Sequence, residues 1–187
     1  EKLTKYGYVY IGMDHFALPT DELAIAQESG SLQRNFQGYS TQAETDMIAI
    51  GVTAISHIGN TFSQNTKEIE PYKALLAKGK LPIEKGIRID EDDLIRKEII
   101  KSLICQFSLN FHAIELRFGI EQRFGIGFKR YFRDELDRLK TMQDDGLLEI
   151  SETEITVLEQ GRLLIRNICM VFDRHLKIHS QKYSRAI

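Results

Sequence analysis

Tryptophan is absent, prolines number three, cysteines number two, and neither sign of charge dominates. Cys105 and Cys169 sit in the apolar texts SLICQF and RNICMVF, without CxxC or metal-type spacing. Free cysteine packs as a small hydrophobe, so both read as buried reduced thiols in a cytoplasmic protein without disulfides and without a cysteine-held metal. A net charge of −2 supplies no overall positive field for nucleic acid or an anionic membrane. No apolar run approaches the roughly 20 residues of a bilayer span. No n-region and h-region pattern marks a secretory signal, and neither internal repeats nor low-complexity tracts occur. What is present is ordinary for a globular chain: 42% apolar and 28% charged over 187 residues, enough for one domain or one and a half. The chain opens EKLTKYGYVYIG, without an initiator Met and straight into strand-like text, which reads as the middle of a longer protein.

Local patterns divide the chain. Residues 6–13 (YGYVYIGM) are aromatic and β-branched and predict a strand, and 20–28 (TDELAIAQE) a short helix with Thr20 as cap. The polar stretch 29–45 reads as a loop. Residues 46–58 (DMIAIGVTAISHI) alternate as a strand. Ile48, Ile50, Val52, Ala54 and Ile58 form one face, and Met47, Ala49, Gly51, Thr53, Ile55 and His57 the other. Glycine inside a strand marks a bulge, helix packing or close approach by a ligand. Helices are expected over 66–78, from an Asp90 cap through Phe107, over 112–118, over 129–143, and from about Gly161 onward. An irregular or short-strand connection falls at 79–89, a glycine-punctuated connection at 117–128, and a hairpin at 147–157. The first sixty residues therefore resemble strands and ligand-type loops of an α/β body. The remainder is a mostly helical unit whose helix, helix, hairpin, helix order is similar to a winged helix.

The stretch RNFQGYSTQ, from Arg34 to Gln42, offers the clearest site chemistry. Phe36 and Tyr39 present π-faces, while Asn35, Gln37, Ser40, Thr41 and Gln42 present donors and acceptors. Flat heterocycles are held by stacking plus a few polar contacts; an ordered surface loop would carry the same text. FGIGF at 124–128 lacks the spacing and lysine–hydroxyl ending of a phosphate loop. His15 ends a strand beside Asp14 and suits a structural role better than a general base. His57 and His112 show no paired metal spacing. His175 and His179, four apart in the basic tail DRHLKIHSQKYSR, read as a solvated face.

YIGMDHFALPTDELAIAQESGSLQRNFQGYSTQ, GVTAIS, KSLIC and GRLLIRNICMVFD together resemble the C-terminal part of the oxygen-independent coproporphyrinogen III dehydrogenases (oxidases). These are radical S-adenosylmethionine enzymes of haem biosynthesis, and the resemblance covers essentially the whole chain. It implies a fold in two parts. Residues 1–65 would be the edge of a partial barrel of parallel strands, and 66–187 a helical, winged-helix-like domain with a small hairpin. It implies S-adenosylmethionine and a [4Fe–4S] cluster in the parent enzyme, an electron donor for that cluster, and coproporphyrinogen III as substrate, two of whose propionates become vinyl groups. By resemblance Phe36 and Gln37 line the active site near the cofactor, and Ile55 contacts S-adenosylmethionine. Arg34 is a candidate partner for a substrate carboxylate, because a buried unpaired carboxylate is costly.

The CxxxCxxC cluster motif of that family is missing here, and Cys105 and Cys169 cannot replace it. The expectation is a fragment inactive alone. Two alternatives stay open. One is a winged-helix-like binding or regulatory module, which a gel shift at low salt tests. The other is a cluster-less relative that binds only a tetrapyrrole, which the length of the native reading frame tests.

Overall fold

The structure, a computed structural model, describes residues 2–43 and 45–176, and the chain divides after Lys101 into two compact units. Both mix short helices with small antiparallel sheets.

The first unit starts with α1 (Lys2–Lys5), then β1 (Val9–Gly12) paired antiparallel with β2 (His15–Ala17). Ile11 is fully buried beneath this hairpin. Helix α2 (Glu22–Glu28) follows, capped by Asp21 rather than by Thr20: its Oδ1 accepts from Leu23 N at 2.9 Å. Asp21 is the last extended residue before the first turn, the place where a side-chain acceptor reaches a free N–H. Gln27 donates from Nε2 to the Ile11 carbonyl at 2.7 Å and ties α2 to β1.

The expected loop over 29–45 holds a hairpin instead, β3 (Gln33–Asn35) with β4 (Gly38–Ser40). Asn35 and Gly38 pair across it, leaving Phe36 and Gln37 as a two-residue tip. Gly38 takes φ 137°, open to glycine, and Asn35 Oδ1 accepts from Gln37 N at 2.8 Å. The turn-forming Asn and Gly flank the tip rather than occupy it, so the usual Asn-Gly signal is missing.

The long strand expected over 46–58 shrinks to β5 (Ile55–Ile58). Gly51 (φ 112°) and Thr53 (φ 62°) turn the chain back, so Met47 bridges His57 instead of preceding it in line. Three contacts pin this reversal. Asn65 Nδ2 donates to the Gly51 carbonyl at 2.9 Å, the Tyr72 hydroxyl accepts from Gly51 N at 3.0 Å, and Gln64 Nε2 donates to the Thr53 carbonyl at 2.9 Å. Strand β6 (Thr61–Asn65) joins β5 through Gly59–Asn60, helix α3 (Ile69–Ala77) follows, and β7 (Ile83–Arg88) completes a sheet of order β5-β6-β7. Helix α4 (Glu91–Gln106) opens with a reciprocal cap: Asp93 N donates to Asp90 Oδ1 and Asp90 N to Asp93 Oδ2, each at 3.0 Å. The expected Asp90 start is met.

The second unit contains β8 (Ser108–Asn110), α5 (Phe111–Phe118), α6 (Ile120–Phe124), α7 (Phe128–Tyr131) and α8 (Arg133–Asp144). It continues with β9 (Leu148–Ile150), β10 (Glu154–Val157), α9 (Glu159–Arg162) and α10 (Ile165–Met170). The expected β9–β10 hairpin forms, with β8 added on the other side of β10. Its core is an aromatic file, Phe111–Phe128–Phe132–Phe172, at centroid spacings of 4.7, 4.8 and 6.0 Å, with Leu139, Leu148 and Ile155 fully buried beside it. Cys105 and Cys169 are buried, and neither forms a disulfide.

Three expectations for the second unit are corrected. The connection at 117–128 contains α6, the helix over 129–143 breaks at Phe132, and the last helix breaks at Leu163–Leu164 and ends at Met170. RLLIRNICMVF is apolar around most of its circumference apart from the side of Arg162 and Arg166, and one straight helix buries only one stripe. Breaking it buries Ile165, Ile168, Val171 and Phe172 together. The tail beyond residue 176, with His179, lies outside the described residues.

Candidate functional site

In the first unit the β3–β4 tip meets one face of the β5–β6–β7 sheet. Phe36, 60% exposed, sets its ring edge-on to Phe62 at 5.7 Å and 82°. Phe62 in turn stacks on His57 at 4.3 Å and 14°. His57 and Phe62 are direct partners across β5 and β6, as are Ile55 and Gln64. Side chains two apart on a strand share a face, so Ile55, His57, Phe62 and Gln64 lie together. The Lys97 ammonium, from α4, stands 5.9 Å from the Phe62 ring centre.

Phe36 and Ile55 thus converge on one sheet face through Phe62, and Gln37 follows Phe36 at the exposed tip. The expected face-mates of Ile55 are corrected: Gly51 and Thr53 lie in the chain reversal before β5, not on its face. The result is a partly exposed wall of aromatic and aliphatic carbon with amides at its rim. Such a wall suits a flat heterocycle that needs dispersion over its faces and a few hydrogen bonds at its edges.

Arg34 lies on the same hairpin, opposite Tyr39 in register, with its guanidinium carbon 4.5 Å from the Tyr39 ring centre. Its Nη1 is buried and meets no hydrogen-bond acceptor among the described residues. His15 comes edge-on to the other partner of this pair, Tyr39, at 5.2 Å and 78°.

Other candidates separate from this region. A cleft of about 390 Å³ lies in the second unit, lined by Phe111, His112, Glu115, Phe128, Lys129 and Glu152 among others, and includes none of Arg34, Phe36, Gln37 or Ile55. Lys129 Nζ bonds Glu152 there at 2.8 Å and holds that carboxyl below its ordinary value. In FGIGF, Gly125 ends α6 and Gly127 faces the Glu115 carboxylate, which is the wrong charge for a phosphate neighbour. Among the described residues no three His, Cys, Asp or Glu side chains gather to hold a metal ion, and no helix is long and apolar enough to cross a membrane.

Phe62 and Lys97 went unflagged by sequence reasoning, and His57 was set aside. The Gly59–Asn60 pair between ISHI and TFSQN was the available signal, since it predicts a hairpin and hence the pairing of His57 with Phe62.

Comparison with known proteins gives this geometry a context. Residues 89–164 match the family described as the HemN C-terminal domain. Over 187 residues, 99% of the chain, it is 49% identical to the oxygen-independent coproporphyrinogen III oxidase of Salmonella typhimurium, covering 40% of that protein. The chain resembles the C-terminal part of oxygen-independent coproporphyrinogen III oxidase. The Pseudomonas aeruginosa oxidase is 47% identical over all of the chain and 40% of its own length, and that of Thermostichus vulcanus is 47% identical over 56% of its length. A solved structure of the Escherichia coli oxidase, described as a radical SAM enzyme, superposes with a TM-score of 0.85 and 47% identity. That match covers 94% of this chain and 39% of the other. The chain thus spans about 40% of the length of most of these oxidases.

Proposed function

We propose that the chain is the C-terminal portion of a coproporphyrinogen III oxidase in the cytoplasm. Its first hairpins would help wall the S-adenosylmethionine site and the tetrapyrrole beside it. The convergence of Phe36 and Ile55 on one sheet face, through Phe62, supports this most. Phe36 supplies a wall for the nucleoside, Ile55 offers its side chain and strand backbone, and Gln37 reaches a ligand edge from the tip. Arg34, with a buried donor that meets no acceptor among the described residues, takes a propionate carboxylate by a charge-assisted hydrogen bond.

When bound and reductively cleaved in the parent enzyme, S-adenosylmethionine would supply the radical that takes a hydrogen atom from a propionate side chain; loss of carbon dioxide, with one electron passing to an acceptor outside this chain, would then leave a vinyl group. This chain's part is to bind, orient and shelter. The described residues do not fit a [4Fe–4S] cluster, because Cys105 and Cys169 are both buried and no cluster of ligands gathers around either. Cluster ligands and the contact with an electron donor belong to the rest of the parent enzyme, and the chain alone is inactive.

In this reading residues 1–65 edge the catalytic domain and 66–187 form the helical domain. The order α4, β8, helices, β9, β10, with sheet order β8-β10-β9, favours a winged-helix-like description of the latter. The acidic start of α4 argues against a nucleic-acid role.

A segment swap tests the proposal. These 187 residues replace the corresponding stretch of the Salmonella typhimurium oxidase, and anaerobic conversion of coproporphyrinogen III to protoporphyrinogen IX is followed by chromatography. Retained conversion supports the reading. A folded, cluster-loaded swap that makes no product overturns it.

A further inference from the structure

We infer that Tyr39, braced by His15, is a positioning residue that holds the Arg34 guanidinium ready for a carboxylate of the tetrapyrrole substrate. This rests on the reading of Arg34 proposed above.

An arginine on a short surface hairpin ordinarily samples many rotamers, and ordering it only when a ligand arrives weakens binding. Here a neighbouring ring already restrains the side chain. Arg34 and Tyr39 are direct partners across β3 and β4, so both rise from the same face, and the guanidinium lies 4.5 Å from the ring centre. A planar guanidinium stacks on an aromatic face, and that face fixes the plane in which its donors point. The ring is itself held. His15, from the neighbouring β1–β2 hairpin, meets it in a T-shaped contact at 5.2 Å. The same imidazole lies against the hairpin backbone, since a Cβ placed on Gly38 would stand 3.7 Å from its Nε2.

The second observation is the donor without an acceptor. Arg34 Nη1 is buried, and no side chain or carbonyl among the described residues accepts from it. A stacked guanidinium leaves its edges free, and those edges match a carboxylate. Coproporphyrinogen III brings four propionate carboxylates, any one of which supplies the acceptor.

The test uses a full-length oxidase carrying this stretch, with binding of fluorescent coproporphyrin III as a readout independent of turnover, together with kcat and KM. Arg34→Ala should weaken binding at least about tenfold, as expected for losing a charged hydrogen bond. Tyr39→Leu should weaken it about 5- to 30-fold, raising KM with kcat nearly unchanged. Tyr39→Phe, which keeps the ring, should bind as wild type. In the double variant, Tyr39→Leu should add nothing to Arg34→Ala. If Tyr39→Leu does not fold, Tyr39→Thr, suited to a short exposed strand, takes its place with the same two outcomes. Unchanged binding in Arg34→Ala overturns the Arg34 reading and this inference with it. Weakened binding in Arg34→Ala with none in Tyr39→Leu, or with additive losses, overturns the positioning role alone.

Discussion

Replacing Gly161 by alanine reverses the usual sign of that substitution. Gly161 lies buried in α9, and its φ is not in the left-handed region. Gly→Ala inside a helix ordinarily stabilises by up to about 1 kcal/mol. Here the added Cβ would fall inside the van der Waals shell of the Leu147 carbonyl oxygen, 2.8 Å from its carbon and 3.1 Å from Val157 Cγ1. Two of these neighbours are backbone and cannot rotate away. That carbonyl also accepts from Leu158 N at 3.0 Å at the base of the β9–β10 hairpin, so any retreat costs the bond as well. Overpacking costs about 1–3 kcal/mol and a lost hydrogen bond about 1 kcal/mol, which together outweigh the helix gain by about 1–3 kcal/mol. In a chain of this size that lowers Tm by about 2–12 °C. Thermal melts followed by circular dichroism measure it. A Gly161→Ala protein as stable as wild type, or more so, refutes the packing argument.

Further outcomes follow from the same structure. Asp90→Ala removes the acceptor for Asp93 N and should destabilise by about 0.5–2 kcal/mol, read as a lower denaturant midpoint with unchanged m. Alanine at Phe36 or Gln37 in a full-length oxidase should depress turnover, and wild-type rates in both would remove them from the site. Lys129 lowers the Glu152 carboxyl, so its small stabilising contribution is complete above the ordinary Glu value and fades as pH falls through the lowered one. An NMR titration should show the Glu152 midpoint rising in Lys129→Ala; an unmoved midpoint contradicts the assigned cause.

The sequence made some features plain and hid others for physical reasons. The α4 start was legible because Asp90 and Asp93 are local capping signals, and the β9–β10 hairpin because strand text brackets a turn. The β3–β4 hairpin was hidden because its strands are three residues each and polar, too short for alternation to register. The false long strand over 46–58 arose because alternation persisted through a reversal that only φ at Gly51 and Thr53 reveals. At the site, Phe36, Gln37 and Ile55 were named through resemblance. Their assembly through Phe62 required the β5–β6 register, a non-local fact. The pairing of Arg34 with Tyr39 likewise needed the hairpin that the sequence did not disclose.

The central claim concerns one sheet face, and the two isoleucines of β5 test it directly. Ile55 lies on the face shared with His57 and Phe62; Ile58, half-exposed, points to the opposite face. In a full-length, cluster-loaded oxidase carrying this stretch, the S-adenosylmethionine Kd of Ile55→Arg should rise at least tenfold, while that of Ile58→Arg stays at the wild-type value. Equal affinity in both variants, or a loss confined to Ile58→Arg, would contradict the account.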